Sequence, residues 1–434
     1  MRLRIRLLLL MAVLALVAAA CSSDDSGDDT TTTAAAEATT TAAAAATTAA
    51  PAATTTTAAA ATTTAGGGEG APIVIGAAVD LTNDMSFFDG PALAAAQIQV
   101  DAVNAAGGVN GQQLELRVID TELDEAQTQA AAIELIDGGA EILLVTCDVD
   151  FATPAITEGI NAGLLTVAPC IGTDQMGPNR FGEAGRLAFS LGNMAQDEGA
   201  AMAEFAFDQG KTKAAIVKDN LLVYFQDVVD AFKVRFEELG GEIVAEESFT
   251  SFDGTIGSVV TAIDGADADV IAVSSAFADL PATFAQQLRA LGNDTTIVCS
   301  WGCDGNFWVP EGLSDFYYVT FASAFDDDPV PAVNEMAQGV AAATGTPPLT
   351  GGFVTGASTI DAIVAAIEAT GGTDGAALAA VFESFDAQPT LSGPISFSEE
   401  FHTVFGRPYR VIKITDGVNA YDSDWQATSP AAIR

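Results

Sequence analysis

Between Pro72 and Asp120 the spacing of apolar positions changes twice. Ile73-Val74-Ile75-Gly76-Ala77-Ala78-Val79 is one unbroken apolar run, the pattern of a strand buried on both faces, and it ends in the polar turn Asp80-Leu81-Thr82-Asn83-Asp84. From Pro91 to Ala105 the apolar residues Leu93, Ala96, Val100 and Val103 recur at helical spacing. Gly107-Gly108 stops that helix, since glycine reaches a positive φ without a Cβ clash. Asn110-Gly111 makes a turn, and Gln113 to Asp120 alternates as a strand through Leu114, Leu116 and Val118. Strand, helix, double glycine and strand form a βαβ unit, whose parallel strands need helices on both faces.

The alternation continues. A helix is predicted over Asp124 to Asp137 and a strand over Ile142 to Thr146; a helix starts near Thr153-Pro154, and Leu164 to Ala168 is the next strand. Further on, strands are predicted at Lys213 to Lys218, Glu242 to Phe249, Val270 to Ser274 and Thr295 to Ser300. Helices at Phe225 to Leu239, Ile256 to Asp264 and Pro281 to Leu291 separate them. Phe316 to Ala322 reads as a strand; Pro331 to Ala343, Ser358 to Thr370 and Ala376 to Phe385 read as helices. Pro394 to Phe397 and Tyr409 to Thr415 are expected to form an antiparallel pair.

The halves echo each other. Gly107-Gly108, strand, helix, Ile136-Asp137-Gly138-Gly139 and the strand ending at Thr146 form one copy. Gly240-Gly241, strand, helix, Ile263-Asp264-Gly265 and the strand ending at Ser274 form the second. The pattern predicts an α/β fold of two doubly wound parallel-sheet lobes, with a ligand cleft between their strand ends.

Composition adds a leader and a tether. Arg2, Arg4 and Arg6 precede the apolar stretch Leu7 to Ala20 and then Cys21, a length that suits a secretory signal better than a membrane span. Ala18-Ala19-Ala20-Cys21 is similar to a bacterial lipoprotein cleavage site, so residues 1–21 are expected to be a signal peptide with a lipidated Cys21. An ordinary cleaved signal followed by a free cysteine is the rival reading. Residues 22–71 are Ala- and Thr-rich without a periodic apolar face, which predicts a disordered linker. The chain carries 16 Lys and Arg against 58 Asp and Glu, a net charge of −42. That field repels phosphate backbones and excludes nucleic acid as a partner.

Four cysteines follow Cys21: Cys147 and Cys170 at successive strand ends of the first lobe, Cys299 and Cys303 around Ser300-Trp301-Gly302 in the second. Two local disulfides are the simplest of the three possible pairings. Cysteines spread over both lobes with a single His402 make poor zinc spacing, and no metal or cofactor is expected. No phosphate-binding glycine loop, nucleophile elbow or paired His and carboxylate pattern is present, so no enzymatic activity is expected. Aromatic residues cluster instead in strand-end loops: Phe87, Phe88, Tyr224, Phe277, Trp301, Phe307 and Trp308. Together they suit two aromatic walls facing across a cleft, although packing against the hinge or the core would use the same residues.

The chain resembles the branched-chain amino-acid (Leu/Ile/Val) binding proteins of ABC import systems, the type I periplasmic-binding fold, over Ile73 to Phe401. The residues that carry this are Val103-Asn104-Ala105-Ala106-Gly107-Gly108-Val109-Asn110-Gly111-Gln112-Gln113-Leu114-Glu115-Leu116, with Ala152-Thr153-Pro154-Ala155, Val167-Ala168-Pro169 and Leu239-Gly240-Gly241-Glu242-Ile243-Val244. The resemblance implies two lobes joined by three hinge crossings. The boundaries expected are 72–193 with 324–390 for the first lobe and 194–323 with 391–434 for the second. It implies a small-molecule ligand, ABC permease subunits as partners, and an extracytoplasmic monomer held to the membrane by its lipid. By position it implies cleft roles for Phe88, Tyr224 and Phe277. The loop Thr146 to Asp150, with Cys147, Asp148 and Val149, and the loop Cys170 to Thr173, with Gly172, fall where the family binds a ligand carboxylate through hydroxyls and backbone N–H groups. Two departures stand out. Trp301 occupies the place of the acid that pairs with an amino acid's ammonium, and Asp148 and Asp150 would repel a carboxylate unless their side chains turn away. A less charged ligand, such as an amide, an aromatic compound or a small polar metabolite, is therefore expected.

Three functions fit these features. They are an importer's solute-binding lipoprotein, a sensor of the same fold signalling to a membrane kinase, and an adhesive envelope protein with a vestigial cleft. For the first, Trp301→Ala and Tyr224→Ala are expected to weaken ligand binding while leaving the melting temperature near wild type.

Overall fold

The computed structural model describes residues 70–433 apart from Ala278. The leader, Cys21 and the Ala- and Thr-rich stretch lie outside the described residues. The first strand, β1 (Ile73–Val79), is buried along its whole length because it lies between β2 (Leu114–Asp120) and β3 (Ile142–Val145), both parallel to it. β4 (Leu165–Ala168) and β5 (Ala188–Asn193) extend the sheet in parallel, and β13 (Thr403–Val404) closes its edge, giving the order β13-β5-β4-β3-β1-β2. Helices α1 (Ser86–Ala105), α2 (Glu125–Asp137) and α3 (Val149–Asn161) connect these strands.

Two starts differ from the sequence pattern for local reasons. α1 begins at Ser86 rather than Pro91, because Asp80 accepts the N–H groups of Thr82, Asn83 and Met85 and holds the turn that launches the helix. Pro91 then lies inside α1 and has no N–H to give the Phe87 carbonyl one turn back. The Thr350 hydroxyl donates to that carbonyl instead, at 3.3 Å. α3 likewise begins at Val149, because Asp148 caps it by accepting from the N–H groups of Asp150 and Phe151. At the end of α1, Gly108 has φ +78° and a Cβ there would sit 1.9 Å from the Gln112 carbonyl oxygen, so the turn requires glycine.

The second lobe repeats the winding. β6 (Lys213–Asp219), β7 (Glu242–Phe249), β8 (Val270–Ser274), β9 (Thr296–Cys299) and β10 (Phe316–Thr320) lie in the order β10-β9-β8-β6-β7, the same order as β5-β4-β3-β1-β2. Helices α4 (Ala195–Asp208), α5 (Val223–Glu238), α6 (Ile256–Asp264) and α7 (Asp279–Ala290) belong to this lobe. Unlike the first sheet, this one is mixed. It ends in the antiparallel strands β14 (Tyr409–Thr415) and β15 (Val418–Trp425) beside β10. Back in the first lobe, α8 (Pro331–Thr344) packs on α1, as does α9 (Phe353–Thr370), which is followed by α10 (Gly375–Glu383).

The expected pairing of Pro394 to Phe397 with Tyr409 to Thr415 is corrected. β12 (Gly393–Ile395) pairs with β11 (Gln388–Thr390), while Ile395 and Phe397 pack with Phe189 and Phe382 in the first lobe's core. Ile412 and Ile414 on β14 belong instead to the second lobe's core, where β14 pairs with β10. The chain thus passes between lobes after β5, after β10, and between Val404 and Tyr409. The last passage falls later than the expected boundary at 390, because apolar burial and the β13–β5 pairing hold residues 391–404 in the first lobe.

Candidate functional site

Segments that follow the C-terminal strand ends of the two sheets meet each other, as in Phe88 with Trp301, Thr173 with Asp227 and Asp150 with Val223, at the place where open α/β sheets hold their ligands. In the first lobe, Asp89 on α1 is buried and accepts three hydrogen bonds. They come from the Asp80 N–H at 2.8 Å, the Thr146 hydroxyl at 2.5 Å and the Cys147 N–H at 2.9 Å. Burial pushes its carboxyl up to about 7, although these three bonds pull the other way. The hydroxyl and first N–H of the loop expected to meet a ligand carboxylate are therefore engaged by the protein's own carboxyl group.

The remaining acids of this loop turn aside. Asp148 caps α3, and burial followed by the charge of Asp150 raises its pKa to about 7. Asp150 pairs with Arg180 at 2.7 Å and accepts the Val223 N–H at 3.1 Å, at the first turn of α5 in the opposite lobe. Val149 is buried among Ala152, Ile156 and Ile171 in the first lobe's own core.

Cys147 bonds to Cys170, with Cα atoms 4.8 Å apart, and Cys299 to Cys303, with Cα atoms 6.0 Å apart. Each lobe thus has one disulfide at its strand ends. The loop after Cys170 meets the second lobe directly. Thr173 donates to Asp227 on α5 at 2.9 Å, and Gly172 lies so close to Tyr224 that a Cβ would be 2.6 Å from the ring.

The second lobe brings the aromatic wall. Trp301 is 4 % exposed, and its ring lies 4.7 Å from Phe88 of the first lobe, 5.1 Å from Phe321 and 6.4 Å from Tyr224, between centroids. Phe87 stacks on Phe307 at 4.5 Å, a second aromatic contact between lobes. Phe277 stands one ring further out, against Phe225 at 6.2 Å and Phe252 at 5.3 Å, and lines a cavity of about 200 Å³ with Phe252 and Ile256. Under this wall lies Glu198 on α4, whose Oε1 accepts from the Tyr224 hydroxyl at 2.8 Å and the Trp301 N–H at 2.6 Å. Burial lifts Glu198 to about 7, and burial with the neighbouring Glu198 charge holds the Tyr224 phenol well above its usual range. Asp304 accepts from the Thr320 hydroxyl and the Gly351 N–H, both at 2.6 Å, and burial raises it to about 7.

The structure gathers Phe88, Cys147, Cys170, Tyr224, Phe277 and Trp301 into one apolar cluster and places Gly172 and Thr173 against the second lobe. Asp148 and Val149 sit at that loop with their side chains turned away from the cleft. Asp89, Glu198, Asp304 and Phe321 escaped the sequence reasoning. Asp89 directly follows Phe88, and the run Gln196-Asp197-Glu198 interrupts an otherwise small and apolar helix; an acid embedded in such a stretch was the available signal. His402, the single histidine, stacks on Phe189 at 4.0 Å inside the first lobe.

Comparison with known proteins agrees with this architecture. The family described as periplasmic binding protein matches residues 72–419, and the chain belongs to that family. The Ala- and Thr-rich residues 1–69 also match a family described as new glue protein. The Leu/Ile/Val-binding protein homolog 3 of Brucella melitensis is 23% identical over 330 residues, covering 76% of this chain and 88% of its own. The branched-chain amino acid substrate-binding protein LivJ of Streptococcus pneumoniae, solved with isoleucine, superposes with a TM-score of 0.70 at 19% identity. That match covers 83% of this chain and all of LivJ (100%). A solute-binding protein of an R. palustris ABC transporter, solved with benzoate, has a TM-score of 0.68 at 18% identity, covering 83% of this chain and 97% of its own. The chain is thus a substrate-binding protein of the ABC-transporter type.

Proposed function

We propose that this protein binds an uncharged or weakly charged small molecule, aromatic or amide in character, between its lobes and presents it to an ABC permease, without catalysing a reaction. In this reading Cys21 is lipidated and residues 22–71 tether the lobes outside the membrane. Relatives solved with isoleucine and with benzoate show that one fold serves both amino-acid and aromatic ligands. The observation that carries the choice is Asp89: its carboxyl already takes the Thr146 hydroxyl and Cys147 N–H, where a ligand carboxylate was expected. Trp301 in place of an acid points the same way, toward a stacked ring rather than an ammonium. A small molecule that touches both lobes favours the closed form by the difference in its contacts to the two states.

Titration calorimetry with benzamide, benzoate and L-isoleucine tests the ligand class. Benzamide is expected to bind more tightly than the other two, and tighter binding of L-isoleucine overturns the choice. Mass spectrometry of the natively expressed protein reads what it carries and whether Cys21 bears a lipid. Co-purification with a permease supports the importer role, whereas a kinase in its place supports the sensor.

A further inference from the structure

Arg407 lies in the last chain passage between the lobes and is buried. Its hydrogen-bond acceptors are all uncharged: Asn193 Oδ1 at 2.7 Å, Ser392 Oγ at 2.7 Å and the Leu191 carbonyl at 2.6 Å. Arg117, Arg180, Arg186, Arg235 and Arg410 instead pair with acids. Burying a guanidinium without a counter-charge is costly, and burial draws Arg407 down to about 10. The partners explain its retention. Leu191 and Asn193 end β5 at the first passage, and Phe321, whose ring lies 5.1 Å from the guanidinium, starts the second. Next to Arg407, the Gly406 N–H donates to Asp197 on α4, just beyond the first passage. Residues 406–407 therefore grip the chain on both sides of the point where it first changes lobe.

We infer that Arg407 is a positioning residue for lobe closure, its side chain tying all three passages together and so setting how far the lobes open. This rests on the reading that a small molecule binds between the lobes. Among the described residues, nothing hydrogen-bonds to Asn193 Nδ2 or to the Tyr409 hydroxyl, both buried, and they leave the tie room to be strengthened or rearranged.

The test measures the distance between spectroscopic labels on unnatural amino acids at exposed Ile133 and Leu291, one per lobe, without ligand. Arg407→Met is expected to lengthen and broaden the distribution, and Arg407→Lys, which keeps charge but not the planar fork, to do so less. Asn193→Asp, which offers the guanidinium a second acceptor, is expected to shorten it. That opposite sign carries the test by itself if Arg407→Met does not fold. With benzamide as probe, Arg407→Met weakens binding about tenfold through faster dissociation. Distributions that superpose on wild type in Arg407→Met or in Asn193→Asp overturn the inference. Shifted distributions with no benzamide binding to wild type overturn the ligand class and leave the hinge role standing.

Discussion

Asp89 and Glu198 are both buried acids at the inner ends of their lobes, yet they organise different things. Asp89 gathers two backbone N–H groups and a hydroxyl from the loops after β1 and β3, so it fixes main chain. Glu198 takes the Tyr224 hydroxyl and the backbone N–H of Trp301, so it ties one ring of the aromatic wall to the main chain of the loop that carries the other. The first lobe thus brings a hydroxyl and an N–H already held by its own Asp89, with Asp150 and Thr173 bonded across to the second lobe. The second lobe brings Trp301 and Tyr224 against Phe88.

The largest expected effect comes from removing the centre of that wall. Trp301 is packed by Phe88, Tyr224 and Phe321, so Trp301→Ala should lower unfolding free energy by about 3 to 5 kcal/mol, read by denaturant titration. This replaces the expectation of an unchanged melting temperature, because the ring lies in the core that joins the lobes. Trp301→Phe, which keeps most of the stack, should lose much less.

The disulfides separate the lobes next. Chain-entropy reasoning gives ~3 kcal/mol for the Cys147–Cys170 bridge, whose partners are 23 residues apart, and ~2 kcal/mol for Cys299–Cys303, 4 apart. Replacing each pair with alanine should therefore cost more in the first lobe. The reverse order would show that the short bridge acts through the pose of Trp301 rather than through the unfolded chain.

pH gives a smaller effect. Asp89, Asp148, Glu198 and Asp304 each have a pKa raised to about 7 and Asp197 to about 6, whereas an unfolded carboxylate titrates near 4. Between those values the folded protein keeps protons that the unfolded chain releases. The stabilisation is fully present below about pH 4 and is lost as the pH rises through about 7. The melting temperature should fall from pH 5 to pH 8, and Glu198→Gln should make that fall shallower by removing one of these groups. An unchanged slope would place the cause elsewhere. At the bottom of the scale, Lys213 reaches Asp267, which is 93% exposed, and Lys213→Ala should leave the melting temperature unchanged.

The βαβ units were legible in the sequence because each has its own apolar period and glycine stop. Ile73 to Val79, Glu242 to Phe249 and Ile256 to Asp264 fall where the pattern placed them. β5 and α4 were not foreseen. Every residue of β5 is buried, Gly192 and Asn193 leave it without alternation, and α4 carries acids among its buried positions, so neither shows a clean amphipathic stripe. These two elements hold the first passage and Glu198, and so part of the site stayed hidden with them.

Local patterning determined the elements, their doubled order and the aromatic loops at the strand ends, because strand and helix periods are written residue by residue. Tertiary structure alone decided that Pro394 to Phe397 stays with the first lobe while Tyr409 to Thr415 joins the second. It also decided that Asp89 satisfies Thr146 and Cys147, and that Arg407 meets Leu191, Asn193 and Phe321. Those contacts join residues far apart in the chain, and their energies come from burial and geometry that no single segment contains.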